Sequence, residues 1–93
     1  MLFRSYGEAR VGVALWMKDT PISLDLLFLT PEGRIARIEA GARPGSLAPI
    51  PAGAVIRAVL EIRGGRAAQL GIRSGDRVRH AIFGDEVQLP PAR

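Results

Sequence analysis

The chain of 93 residues contains no cysteine and a single histidine, and both shortages exclude classes of chemistry. Without cysteine it can form no disulfide, thiolate zinc site, iron–sulfur cluster or cysteine nucleophile. One histidine leaves little for zinc centres or Ser–His–Asp triads, which need several imidazoles or one well-supported base. We therefore expect neither a metal site nor a bound cofactor.

Long apolar runs are also missing. No segment approaches the roughly 20 apolar residues of a membrane span. The opening MLFRSYGEARVG lacks the apolar region and cleavage site of a signal peptide. The sequence as written predicts a cytoplasmic protein with no membrane contact. Its abrupt apolar start at residues 1–3 is typical of a domain interior, so a missing upstream segment, and with it export, is the alternative.

Basic residues outnumber acidic ones by 13 to 9, which gives a net charge of +4, and all except Lys18 are arginine. The arginines are dispersed along the chain. The nearest approach to a cluster, Arg73, Arg77 and Arg79, contains Asp76. Aromatic residues make up only 5% and do not alternate with basic ones, as base stacking would require. This pattern favours a solvated surface, so nucleic acid is not an expected partner.

Apolar residues make up 47% of the chain, enough for one core, and the length leaves no room for a second domain. The turn sequence TPEG at residues 30–33 separates two apolar runs and predicts a hairpin. A short helix is expected at residues 66–70, between Gly65 and Gly71. Alternation or apolar runs predict strands in five segments: residues 11–17, 23–29, 34–40, 55–62 and 78–83.

These signals predict a mainly β fold, a compact β sandwich or small barrel with one short α-helix. Residues 41–53, rich in proline and glycine, are expected to form an irregular loop. Residues 1–84 are expected to form the single domain, and residues 85–93 a flexible tail.

The segment WMKDTPISLDLLF at residues 16–28 closely resembles the bacterial and archaeal family called domain of unknown function 192. The similarity continues through GRI at 33–35, AVLE at 58–61, LGI at 70–72 and GDRV at 75–78. Asp19 stands where the family usually has asparagine and Ser23 where it has proline, and the resemblance predicts that this chain lacks the family's N-terminal strands. The resemblance implies a β sandwich or barrel with a short helix, and no established activity.

The same segment holds the candidate ligand-binding residues. Small residues beside an indole leave a shelf for a flat or sugar-like ligand, so we expect a small-molecule or glycan ligand. Alternatively, the tryptophan fills the core, the lysine extends along apolar surface, and the aspartate of the apolar run accepts hydrogen bonds from loop amides. The candidate residues are Trp16, Lys18, Asp19, Thr20, Asp25 and Glu61.

Two other hypotheses remain beside this binding module. A hydrolase-like enzyme could use Asp25 and Glu61 as an acid–base pair, provided that their carboxyl groups lie about 5–9.5 Å apart. A self-association module is the other, because missing upstream strands would expose a sheet edge that a second copy could cover. The sequence designates no catalytic residue, and binding remains the leading hypothesis.

Overall fold

The structure is a computed structural model that describes residues 1–83. None of its helices is long and apolar enough to cross a membrane within that part of the chain. The elements, in chain order, are β1 (Leu2–Arg10), β2 (Ala14–Leu15), β3 (Leu24–Leu29), β4 (Ile35–Ala42), β5 (Ile50–Pro51), β6 (Ile56–Arg63), α1 (Arg66–Leu70) and a 3-10 turn (Ala81–Phe83).

Two antiparallel sheets carry the fold. The larger has the strand order β1-β6-β3-β4, and the smaller pairs β2 with β5. The predicted fold class, mainly β with one short helix, is confirmed. Because β1 and β4 are the outer strands of the large sheet, that sheet is open and does not close into a barrel.

Both faces of the large sheet are covered, which explains why β3 is apolar almost throughout. On one face Leu26, Phe28 and Val59 pack with Met17 and with apolar residues of the β2–β5 region. On the other face Leu27 and other apolar residues pack beneath α1 and the chain that follows it. We call these the small-sheet face and the helix face.

Several predictions that depended on a short stretch of sequence are confirmed. The hairpin of β3 and β4 is confirmed, with the Gly33 amide donating to the Thr30 carbonyl at 2.9 Å. The strand predicted at residues 55–62 and the helix at 66–70 are also confirmed. The loop predicted at residues 41–53 is mostly irregular, but it contains β5.

One predicted strand was too long, one was wrong, and one strand was missed. Residues 11–17 contribute only Ala14–Leu15, because Gly12 turns the chain with φ 67°. Residues 78–83 cover the helix face without pairing as a strand, and end in the 3-10 turn. β1 was missed because only Phe3 and Tyr6 within it are even partly buried. The tail predicted at 85–93 lies outside the described residues.

We expect Gly33→Ala to destabilise the fold by about 2 kcal/mol or more. Gly33 has φ 83°, and an added Cβ would lie 2.9 Å from the Val78 carbonyl oxygen and 3.0 Å from the Phe83 ring. Urea unfolding measures the change. Gly45→Ala is the matched control, since Gly45 has φ 71° but open space around its Cβ position. Equal losses in both variants would contradict the role of the close contact.

Candidate functional site

Four of the six predicted site residues line one cavity of about 220 Å³ on the small-sheet face. They come from three parts of the chain: the segment after β2, the entry to β3, and β6. We call this cavity the Trp16 cleft. Its lining consists of the predicted residues Trp16, Lys18, Thr20 and Glu61, together with Arg4, Ala14 and Leu15.

An ion pair forms the polar wall of the Trp16 cleft. The Arg4 Nε donates to Oε2 of Glu61 at 2.8 Å, and this contact raises the pKa of Arg4. β1 and β6 are paired so that Leu2 lies opposite Glu61 and Arg4 opposite Val59, which puts Arg4 diagonally beside the carboxylate on one face. Glu61 is 9% exposed, and its Oε1 accepts no hydrogen bond from residues 1–83.

Trp16 is 56% exposed, so the alternative in which it fills the core was wrong. Its neighbour Met17 is buried instead and donates its amide to the Ser46 carbonyl at 3.1 Å, which anchors this stretch of backbone. The Lys18 ammonium lies 5.3 Å from the centroid of the indole, over its ring. Lys18 makes no ion pair within the described part of the chain.

Two further depressions adjoin the cleft. One, of about 310 Å³, shares Arg4, Thr20 and Glu61 with it and extends towards Arg63. The other is a broad groove that Asp19 lines together with Lys18, Thr20 and the chain around Pro44. Asp19 therefore lies beside the Trp16 cleft and not in its wall. Its backbone is left-handed, with φ 59°, in a turn closed by the amide of Thr20 on the Met17 carbonyl.

Asp25 is not part of the Trp16 cleft. It is 1% exposed, and its carboxylate accepts three backbone N–H groups. Oδ1 accepts from Gly41 at 2.9 Å and from Gly65 at 3.1 Å, and Oδ2 accepts from Ala67 at 2.9 Å. The structure thus shows the alternative interpretation, in which this aspartate satisfies loop amides.

The local backbone geometry leaves these three amides without a partner in the sheet or the helix, so they can donate to Asp25. Gly41, with φ 60°, lies where the β3–β4 register shifts between Leu24 and Leu26, so its amide leaves the ladder. Gly65 and Ala67 open α1, whose first amides have no partner within the helix. Burial acts to raise the pKa of Asp25, but the hydrogen bonds from Ala67, Gly41 and Gly65 outweigh it and hold that pKa below its ordinary value.

The carboxylate pair required by the enzyme hypothesis is not formed. In the β3–β6 register Asp25 lies opposite Ile62, whereas Glu61 lies opposite Leu26. Directly opposed residues share a face and neighbours alternate, so Asp25 points to the helix face and Glu61 to the small-sheet face. Within residues 1–83, no group of three His, Asp or Glu side chains could hold a metal ion.

Arg4 is the charged residue of the cleft that was not predicted from the sequence. Its partner Glu61 is 57 positions away, and only the pairing of β1 with β6 brings them together. A local signal was present, since Arg4 lies between Phe3 and Tyr6 in a chain end whose apolar residues recur. That recurrence was too weak to predict a strand, so no partner for Glu61 was assigned.

Comparison with known proteins agrees with the resemblance noted in the sequence. The profile of the family called domain of unknown function 192, described as an uncharacterized ACR, matches residues 1–80. No curated protein gives a match.

Two solved structures are similar. One, from Sinorhizobium meliloti, is provisionally described as a transcription regulator; it is 38% identical with a TM-score of 0.82, and the match covers 86% of this chain and 61% of that one. The other, a protein of unknown function from Novosphingobium aromaticivorans, is 38% identical with a TM-score of 0.80 and coverages of 84% and 55%. The chain thus spans less than two thirds of either relative.

We expect Asp25→Asn to destabilise the domain by about 1–3 kcal/mol, because an amide nitrogen in place of one oxygen leaves a buried N–H unsatisfied. The pKa of Asp25 is lower in the folded chain, so its stabilisation is complete above the unfolded value of about 3.9 and is lost as the pH falls through the folded value. Urea unfolding from pH 7 to pH 2 should show the gap between the two proteins narrowing below about pH 4.

The control is Asp76→Asn, which changes an aspartate that also accepts a backbone amide, from Arg73 at 2.8 Å, but in an exposed turn. We expect a change there of about 0.5 kcal/mol or less. A loss as large as that of Asp25→Asn would show that burial does not set the cost.

We expect Asp19→Gly to stabilise the domain by up to about 1 kcal/mol, because the substitution relieves a left-handed backbone. The side chain of Asp19 makes no hydrogen bond or ion pair with residues 1–83. Thermal unfolding should show a rise in Tm of a few degrees. Glu32→Gly, at an exposed turn residue without positive φ, should lower Tm or leave it unchanged. A Tm of Asp19→Gly below that of the parent chain would show that the left-handed backbone at residue 19 does not destabilise the domain.

Proposed function

Since the chain belongs to the family called domain of unknown function 192, which carries no assigned activity, we propose a function from its geometry: the domain is a small-molecule-binding module. The ligand we propose is a ring that carries hydroxyl groups, such as one sugar unit of a glycan, held in the Trp16 cleft. One observation carries the proposal. A nearly buried carboxylate with a free oxygen lies in the same cavity as an exposed indole.

The ion pair suits neighbouring hydroxyl groups. Oε1 of Glu61 can accept a hydrogen bond from one hydroxyl, and the remaining guanidinium N–H groups of Arg4 can donate to the next. Hydrogen bonds to charged groups are stronger than neutral ones, about 1.5–3 kcal/mol each. Because Arg4 already neutralises the carboxylate, the pair does not demand a charged ligand. Thr20 adds a hydroxyl at the same wall.

The apolar part of the cleft suits the C–H face of a sugar ring. Trp16 offers an exposed aromatic surface, and the small side chain of Ala14 leaves room beside it. A volume of about 220 Å³ is below the usual range for drug-sized ligands, about 300–1,000 Å³, and fits a single ring. The adjoining depression of about 310 Å³ shares the ion pair, so a second ring can follow the first.

Tryptophan fluorescence tests the proposal, because Trp16 is the only tryptophan in the chain and reports this cleft alone. We expect a saturable change in intensity or wavelength with at least one member of a panel of hexoses, pentoses and their disaccharides. A water-soluble cyclohexyl ether, whose ring carries no hydroxyl groups, should give no saturable change in fluorescence. The absence of a saturable fluorescence change with every sugar of the panel would refute the proposal.

Two variants connect the signal to the ion pair. Glu61→Gln keeps the shape and a hydrogen bond to Arg4 but removes the charge, and should weaken binding about 10-fold or more. Glu39→Gln is the matched control, since Glu39 pairs with Arg37 at 2.7 Å on a different strand and does not line the cleft. Equal affinities for Glu61→Gln and the parent chain would exclude the carboxylate from ligand binding.

A further inference from the structure

A second and larger cavity lies on the helix face, opposite the Trp16 cleft. Its volume is about 700 Å³, within the range of about 300–1,000 Å³ found for ligand sites. We call it the helix-face cavity. It lies between the end of β6 and α1, and its walls include the apolar side chains Leu60, Ile62, Leu70 and Ile72.

The cavity exists because α1 is too short to cover the sheet. The helix has five residues, only Ala67 of which is buried, and it ends at the left-handed Gly71. Leu70 is 57% exposed, although it lines the same cavity as the half-buried Leu60. Part of the apolar wall, with Leu70 foremost, is therefore left in contact with water.

The rim of the helix-face cavity is positively charged. Arg63 ends β6 and Arg66 begins α1, and no acidic residue lines the cavity. Within residues 1–83, neither arginine makes an ion pair. Arg66 donates only to the neutral side chain of Gln69, at 3.3 Å. Two guanidinium groups beside an apolar wall are complementary to a molecule with an anionic head and an apolar tail.

We propose that the helix-face cavity binds an unbranched fatty acid, with the carboxylate at Arg63 and Arg66 and the hydrocarbon chain against Leu60, Ile62, Leu70 and Ile72. Guanidinium groups bind carboxylates through two parallel hydrogen bonds, which fixes the head. The tail removes apolar surface of the cavity from water. The Trp16 cleft itself shares no lining residue with this site and lies on the opposite face of the sheet, while the depression that adjoins the cleft also reaches Arg63.

Isothermal titration calorimetry with octanoate, decanoate and dodecanoate below their micelle concentrations tests the proposal. We expect one site per chain and an affinity that rises about three- to fourfold for each added CH₂ group. Decanol, which has the same tail without the charge, should bind at least about tenfold more weakly than decanoate. No heat and no chain-length dependence would overturn the proposal.

Variants locate the site. The double variant Arg63→Gln/Arg66→Gln should bring decanoate down to the affinity of decanol. Arg43→Gln/Arg79→Gln removes the same charge at exposed positions outside the cavity and should leave decanoate binding unchanged. Leu70→Asp should abolish binding, and circular dichroism checks that each variant is folded. Equal losses in both arginine pairs would mean general charge attraction and would overturn the site.

Two outcomes separate this proposal from its neighbours. Trp16→Ala should leave decanoate binding unchanged, and a loss in that variant would place the fatty acid in the other cleft and overturn the assignment. We expect light scattering on the unliganded protein to show no dimer that depends on Leu70, that is, none that the Leu70→Asp variant dissociates. Such a dimer would mean that a second copy of the chain occupies the cavity and would overturn the fatty acid as its occupant.

Discussion

The buried carboxylate of Asp25 is the constraint on which the rest of the structure depends. From a central strand it holds the bulge of β4 through Gly41 and the start of α1 through Gly65 and Ala67. These segments come together from three separate regions of the chain. A helix of five residues is too short to form by its own propensity, so its position comes from this contact and from the packing of Ala67. The carboxylate is charged where it is buried because three amides replace the water it has lost.

One candidate site is related to that arrangement, and the other to the register of the strands. Fixing α1 at one end of the helix face leaves the wall around Leu60 and Leu70 uncovered. On the small-sheet face, the register of β1, β6 and β3 brings Arg4 beside Glu61 under the β2–β5 pair. One surface is apolar with a cationic rim, and the other is polar with one exposed aromatic ring. These two surfaces therefore lie on opposite faces of one sheet.

Predictions from the sequence succeeded as far as local signals reach. The hairpin, β6 and α1 are bounded by turn residues or glycines, and the strands carry apolar runs or alternation, so their positions could be predicted directly. Three residues of the segment from Trp16 to Thr20 line one cavity, whereas Asp19 lies beside it. Which side chains of different strands lie together could not be predicted from the sequence. Whether Asp25 and Glu61 share a face depends on strand register, and the partner of Glu61 depends on β1, which carries almost no buried residues.

The strand β6 is a wall common to both cavities, and this has an evolutionary consequence. Glu61 points into the Trp16 cleft, while its neighbours Leu60 and Ile62 line the helix-face cavity. Substitutions at alternate positions can therefore change either surface and leave the other intact. A one-residue insertion or deletion within β6 has the opposite effect, because it turns every following side chain to the other face. It would place the carboxylate among the apolar residues beneath α1 and abolish both surfaces in one step, so β6 can diverge by substitution but not in length.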